Sequence, residues 1–380
     1  MNIGPSFRPP RFLSPKLASS APETPISKPG FFEKAGDFAQ NVFQSLRTWE
    51  NPNAKAPSDT GGLKLATYNI WVGGKKLSEV DADLRRLDAD VVCLQETTEA
   101  SARRLAERLG MHMSFYAQEQ GVTRVVGKAI LSRHPIEDTR NIPFKKSWGD
   151  TFKAIGRALW NGPSLLTVGE PLEKRSFLSA SLKVGGKEIE ILDAHLSFAD
   201  PVANAKQQQE LADYVAERQQ EGKTVILAGD FNTNFALAKG GTADANGTVA
   251  TPTDTAAEYR ERYGVDLGNV GDAKNRAATE RLLSLMKSNW QAPERLALVD
   301  GQAMTPEEAR QELASGKAAP GSERHKALLR AMDGITNFED EKRYDNILAT
   351  SDVRIASTLV DQTTRGSDHQ PVLASIRWDG

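Results

Sequence analysis

The 380-residue sequence predicts an α/β protein in which helices lie outside a pair of mixed β-sheets. Three features carry that expectation. Apolar, strand-like runs alternate with helix-periodic segments along much of the chain. A long antiparallel hairpin, Ser176 to Val184 and Lys187 to Leu196 joined by Gly185-Gly186, excludes a purely parallel doubly wound sheet. Three more strand candidates then close the chain: Tyr344 to Thr350, Arg354 to Leu359 and Pro371 to Trp378.

Residues 1–30 hold seven of the nineteen prolines and five serines, with Glu23 as the one acid, so a disordered leader is expected there. The same acid-poor composition also suits an export or targeting leader, without naming a compartment. Between Phe31 and Trp49, Phe32, Ala35, Phe38, Ala39, Val42, Phe43, Leu46 and Trp49 recur at three-and-four spacing, which predicts an amphipathic helix. A polar link, Asn51 to Gly62, completes this 31–62 region.

The main domain is expected over 63–380. It opens with the strand Leu63 to Ile70, a helix bearing Leu77, Val80, Leu84 and Leu87, the apolar strand Asp90 to Gln95 and a helix from Glu99 to Leu109. Strands at Met113 to Gln118 and Gly127 to Ser132 precede the hairpin. A helix from Val202 to Gln220 and the strand Lys223 to Asp230 follow it. Residues 236–340, rich in Ala, Glu, Arg and Gly, break this rhythm and read as an insertion with helices near Thr279 to Ser288 and Thr305 to Leu313.

The totals narrow the function. Apolar residues make up 39%, enough for a substantial core, and no run approaches the roughly 18 residues of a membrane span. A soluble protein is expected. A single cysteine, Cys93, rules out an internal disulfide, and its apolar strand marks it as a core residue. A net charge of −2 gives no global pull on polyanions, so any nucleic-acid contact needs a local basic surface or a metal.

Polar residues at the ends of buried strands are the informative ones, because a core strand does not require them and α/β sites form at strand C-termini. Four strands end in this way, on Asn69, on Gln95-Glu96, on His195, and on Asp230-Phe231-Asn232. Each alone has an ordinary explanation as a cap, a turn or a satisfied core histidine. Their coincidence points to a site. Glu96 beside Asn69 offers hard oxygen ligands suited to Mg²⁺, with Mn²⁺ as a substitute. A structural zinc has no support, since the five histidines lack ligand spacing. Near the C-terminus, Asp368-His369 precedes the last strand and Asp345 stands ahead of another. A carboxylate on one imidazole nitrogen fixes the tautomer and raises basicity, and Asp345 is the natural candidate to serve His369.

In order, Tyr68-Asn69-Ile70-Trp71, Leu94-Gln95-Glu96-Thr97, Asp193-Ala194-His195-Leu196, Gly229-Asp230-Phe231-Asn232-Thr233, Arg343-Tyr344-Asp345 and Ser367-Asp368-His369-Gln370-Pro371-Val372 resemble the motif series of the endonuclease/exonuclease/phosphatase superfamily. The resemblance runs from about Leu63 to Trp378. It implies a four-layer αββα sandwich with two central mixed sheets and a metal-dependent phosphoesterase. By similarity, Glu96, Asn69 and Asp368 would belong to the metal site. Asp230 would activate water with Asn232 beside it, and His195 and His369, the latter paired with Asp345, would contact the phosphate. Arg175, opening the hairpin, fits the position of a phosphate-contacting arginine.

Two substrate classes stay open. Residues 145–160 place Trp148, Phe152, Ile155 and Leu159 beside Lys145, Lys146, Lys153 and Arg157, a pattern that fits a nucleic-acid backbone or an anionic phospholipid membrane surface as well as ordinary packing. The compact Gly-Asp-Phe-Asn and Ser-Asp-His-Gln-Pro-Val forms favour a nuclease acting on nucleic acid. A sphingomyelinase-like or inositol-phosphate phosphoesterase is the alternative. Lys342-Arg343-Tyr344-Asp345 lacks the Trp-Cys-Asp-Arg segment of the inositol 5-phosphatases. Nothing in the sequence calls for an obligate protein partner.

Overall fold

In a computed structural model the described residues are 46–55, 57, 61–71, 73–74, 76–120, 125–145, 175–198, 201–233, 268–338 and 342–378. In chain order they form β1 (Leu46–Trp49), β2 (Gly62–Asn69), α1 (Leu77–Leu87), β3 (Val91–Thr97), α2 (Glu99–Leu109), β4 (His112–Gln120), β5 (Val125–Ser132) and β6 (Ile136–Pro143). There follow β7 (Ser176–Val184), β8 (Lys187–His195), α3 (Pro201–Gln220), β9 (Thr224–Asp230), α4 (Gly268–Leu285), β10 (Met286–Ser288), β11 (Glu294–Val299) and β12 (Gln302–Met304). The chain closes with α5 (Pro306–Ala314), α6 (Glu323–Asp333), β13 (Asp345–Thr350), β14 (Arg354–Asp361) and β15 (Val372–Arg377).

Two mixed sheets result. The larger has nine strands in the order β1-β4-β5-β3-β2-β15-β14-β11-β12, and the smaller has six in the order β10-β13-β9-β8-β7-β6. Side chains alternate across a strand, so one strand feeds two cores. In β9, Ile226 and Ala228 enter the core between the sheets, while Val225 and Leu227 face the outer core with Leu211 and Val215 of α3 and Leu282 of α4. On the other side, Ala66 and Tyr68 of β2 and Val92 and Leu94 of β3 pack against Val80 and Leu84 of α1 and Leu105 of α2. These three cores make four layers, αββα. Each fully buried Leu, Ile or Val contributes about 1.5–3 kcal/mol.

The expected helix through Trp49 is overturned at its end: Leu46–Trp49 is a strand, paired antiparallel with β4. The earlier part of that helix, the leader and nearly all of the basic aromatic stretch 145–160 lie outside the described residues. Within 236–340 the expected helix ending at Ser288 is corrected at its last turn. Met286–Ser288, expected to end a helix, pairs with β13, and β11 and β12 extend the larger sheet beyond β14. Short strands of three and six residues carry too little alternation to be seen beside strong helix formers. The edge strand β6 escaped notice too, because an edge half in water is polar, here Ile-Glu-Asp-Thr-Arg-Asn-Ile-Pro. No helix among the described residues is long and apolar enough to cross a membrane.

Candidate active site

Register explains why distant residues meet at one end of the sandwich. Parallel neighbours β2 and β3 end together, setting Asn69 beside Gln95, and parallel β8 and β9 set His195 beside Asp230. Antiparallel neighbours contribute their beginnings: β13 starts with Asp345 opposite Asp230, and β15 enters beside Thr67 just after the His369 loop. Strand ends and strand starts thus converge.

Asp230, 1% exposed, is the node. Its Oδ2 accepts a hydrogen bond from Asn69 Nδ2 at 3.0 Å and lies 3.7 Å from Nε2 of both His195 and His369. Asn69 Nδ2 also donates to Glu96 Oε1 at 3.1 Å, and that oxygen is 4.0 Å from His195 Nε2. The Oδ1 of Asn69 accepts from the Trp71 amide at 3.1 Å. With its nitrogen on both carboxylates and its oxygen accepting from Trp71, Asn69 ties Glu96 to Asp230.

The backbone is held in an unusual shape around these groups. Trp71, Glu96 and Asn232 all have positive φ, at 47°, 51° and 48°, without being glycine. Such residues cost about 1–3 kcal/mol each and persist where surrounding structure enforces them. At Asn232 the enforcement is visible: its amide N–H donates to Asp230 Oδ1 at 2.9 Å, and its Nδ2 donates to the Leu196 carbonyl at 3.0 Å. Asn204 of α3 pins the same two loops by donating to the carbonyls of Ser197 and Phe231.

His369 sits with Nδ1 2.7 Å from Asp345 Oδ2, as the sequence led one to expect. Burial works against its charge, yet Asp345, Asp230 and Asp368 together raise its pKa to about 10. Burial in turn pushes Asp345 up to about 6, against the pull of His369. Near neutral pH the pair is therefore an imidazolium and a carboxylate, a fixed positive charge aimed at the Asp230 end of the site.

A model of the endonuclease/exonuclease/phosphatase family matches residues 66–369, most of the chain, from before the first motif as far as His369 in the last. The chain belongs to that family. Its members are phosphoester hydrolases, generally dependent on a divalent metal, so this chain is an enzyme of that class. No curated protein matches its sequence. Among solved structures, an endonuclease/exonuclease/phosphatase from Bacteroides vulgatus superposes with a TM-score of 0.51 at 15% identity, covering 84% of this chain and 100% of its own, which supports the fold. A family protein from Beutenbergia cavernae DSM 12333 gives 0.47 at 18% identity, covering 84% of this chain and 72% of its own. A mannosyl-6-phosphatase of Bacteroides thetaiotaomicron VPI-5482 gives 0.49 at 12%, covering 83% and 100%.

The donors fit the divalent ion of the family in their chemistry. Glu96 and Asp230 are hard carboxylates joined through Asn69, and Asp230, Asp345 and His369 offer ligand atoms within 4.8 Å of one another.

The remaining expected residues fall around this centre. Arg175 is buried and donates through Nη1 to the backbone carbonyls of His195 and Leu196, so it fixes the end of β8. Asp368 is half-buried, accepts from Ser367 Oγ at 3.1 Å and adds negative charge beside His369. Two residues went unnoticed in the sequence. Asn337 brings its side-chain amide to 3.0 Å from His369 Nε2, and Thr336 Oγ1 accepts from the amides of Tyr344 and Asp345. They belong to 236–340, outside every motif, and no local pattern marks them. Ser367, inside a motif, ties its loop to β2 by donating to the Asn69 carbonyl at 2.7 Å.

Proposed function

We propose that the enzyme is a Mg²⁺-dependent phosphodiesterase that cuts nucleic acid, with Mn²⁺ able to substitute. The observation that carries this reading is the position of Asp230, one buried carboxylate facing Asn69, His195 and His369 at once. Asp230 orients a water molecule and takes its proton, and Asn232, clamped to Asp230 and Leu196, fixes the approach. His369, held charged by Asp345, and His195 bind the phosphate oxygens and stabilise charge as it grows in the transition state. Glu96, oriented by Asn69 and assisted by Asp230 and Asp368, would hold the cation. Once bound, that ion would neutralise charge on the phosphate and the leaving oxygen. The motif forms favour nucleic acid over lipid substrates.

The test is Mg²⁺-dependent hydrolysis of plasmid DNA, RNA, sphingomyelin liposomes and inositol phosphates by the wild type, Asp230→Ala and His369→Ala. Cleavage of nucleic acid that EDTA abolishes and each substitution lowers by about 10²–10⁴-fold is expected. Hydrolysis of lipid or inositol phosphate alone would overturn the nuclease reading, and activity surviving both substitutions would overturn the mechanism.

A further inference from the structure

One layer below the site, on the inner faces of both sheets, stands a set of buried polar residues with no part in the chemistry above. Thr67 and Gln95 come from β2 and β3, Lys128 from β5 and Asp193 from β8, and all four are fully buried. Their strand neighbours Leu65, Cys93, Ile130 and Ile191 belong to the core between the sheets, so alternation places the polar set in that gap. Gln95 Nε2 donates to Asp193 Oδ1 at 2.7 Å and also reaches Thr67 Oγ1 at 3.1 Å. The first bond joins the nine-stranded sheet to the six-stranded one. Burial raises the acid of Asp193 well above the carboxylate range, and the charge of Lys128 opposes that rise.

Such a set is costly. A buried carboxylate and a buried ammonium lose their water, and apolar residues of the same volume commonly give equal or greater stability. Stability alone does not account for them. Glu96 follows Gln95 directly and His195 lies two residues beyond Asp193, yet the two belong to different sheets and must meet across the gap. A bond that sets the separation of the sheets at this level also sets how far Glu96 lies from His195 and Asp230.

We propose that Gln95 and Asp193 are a cross-sheet positioning pair that fixes the spacing of the Glu96 half and the His195–Asp230 half of the site. This rests on the reading of Glu96 and Asp230 as holders of the cation.

Two double variants test it, both neutral at the pair and close to the original volume. Asp193→Asn with Lys128→Met keeps an acceptor for Gln95, whereas Asp193→Leu with Lys128→Met removes it. Mn²⁺ binding is read from the electron paramagnetic resonance of the free ion, alongside kcat, KM and the melting temperature. The Asn variant should bind Mn²⁺ within about threefold of the wild type. The Leu variant should melt at the same temperature or higher, yet bind about 10–100-fold more weakly and lose kcat more than KM, as loss of a supporting residue does in metal sites. Equal Mn²⁺ binding and kcat in the two variants would overturn the positioning pair alone. A wild type that binds no Mn²⁺ would overturn the metal reading and the proposal with it.

Discussion

With Asp345 2.7 Å from Nδ1 and Asp230 3.7 Å from Nε2, the His369 ring gains more from its neighbours than it loses by burial. Its folded pKa of about 10 lies above the ordinary 6.5, so the stability this provides is complete below 6.5 and is lost as pH rises through 10. In the metal-free protein, an NMR titration of the imidazole should find it protonated well above neutral pH, and Asp345→Asn should move the midpoint down. A wild-type midpoint near that of a free histidine would refute the charged pair. Gly229 supports the next residue along β9. At φ +144°, a Cβ there would meet the Ala194 carbonyl oxygen at 1.9 Å, so Gly229→Ala must push β9 away from β8 where His195 and Asp230 pair. Turnover should fall by at least about tenfold, with stability lowered by about 1–3 kcal/mol. A variant with wild-type kcat and denaturant midpoint would show that the strands have slack there.

At the scale of elements, the motif loop before β15 depends on α1. Arg86 donates to Asp361 Oδ2 at 2.8 and 2.6 Å and to Asp83, while Asp83 and Tyr68 hold Thr364. Asp361 is fully buried, so Arg86→Ala strands its charge, and a loss of about 2 kcal/mol or more in chemical denaturation is expected. An unchanged midpoint would mean that the carboxylate finds water. These elements differ in how far the sequence discloses them. The strands carrying Asn69, Glu96, His195 and Asp230 are buried over most of their length and rich in apolar residues, and their polar ends stand out for that reason. The partnership of Asp345 with His369 also follows from local chemistry. Asn337 and Thr336 could not be seen in advance, because their importance comes from a backbone bridge to Lys342 and His369 that only the assembled sheets create. Strands β10 and β11 were hidden for a similar reason: their partners, β13 and β14, lie far along the chain.

Across the whole molecule, the site gathers Glu96, Asp230, Asp345 and Asp368 on loops and strand ends drawn from both sheets, so a bound cation links folding to occupancy. Free Mg²⁺ at a hundred times its dissociation constant should add about 2.7 kcal/mol and raise the melting temperature by a few degrees. Asp230→Ala should show a smaller rise, and equal rises in wild type and variant would place the ion elsewhere.

The four residues of β1 have a consequence for solubility. They cover β4, which spans nine residues, and Arg103 stacks over Trp49 at 4.4 Å to hold the cover in place. Shortened to begin at Glu50, the protein would bare that row of amides and carbonyls, an open template for the same strand of another copy. Self-association that grows with concentration while dilute samples keep their turnover is the behaviour expected in light scattering. This four-residue strand would then act as a guard against aggregation rather than as part of the enzyme.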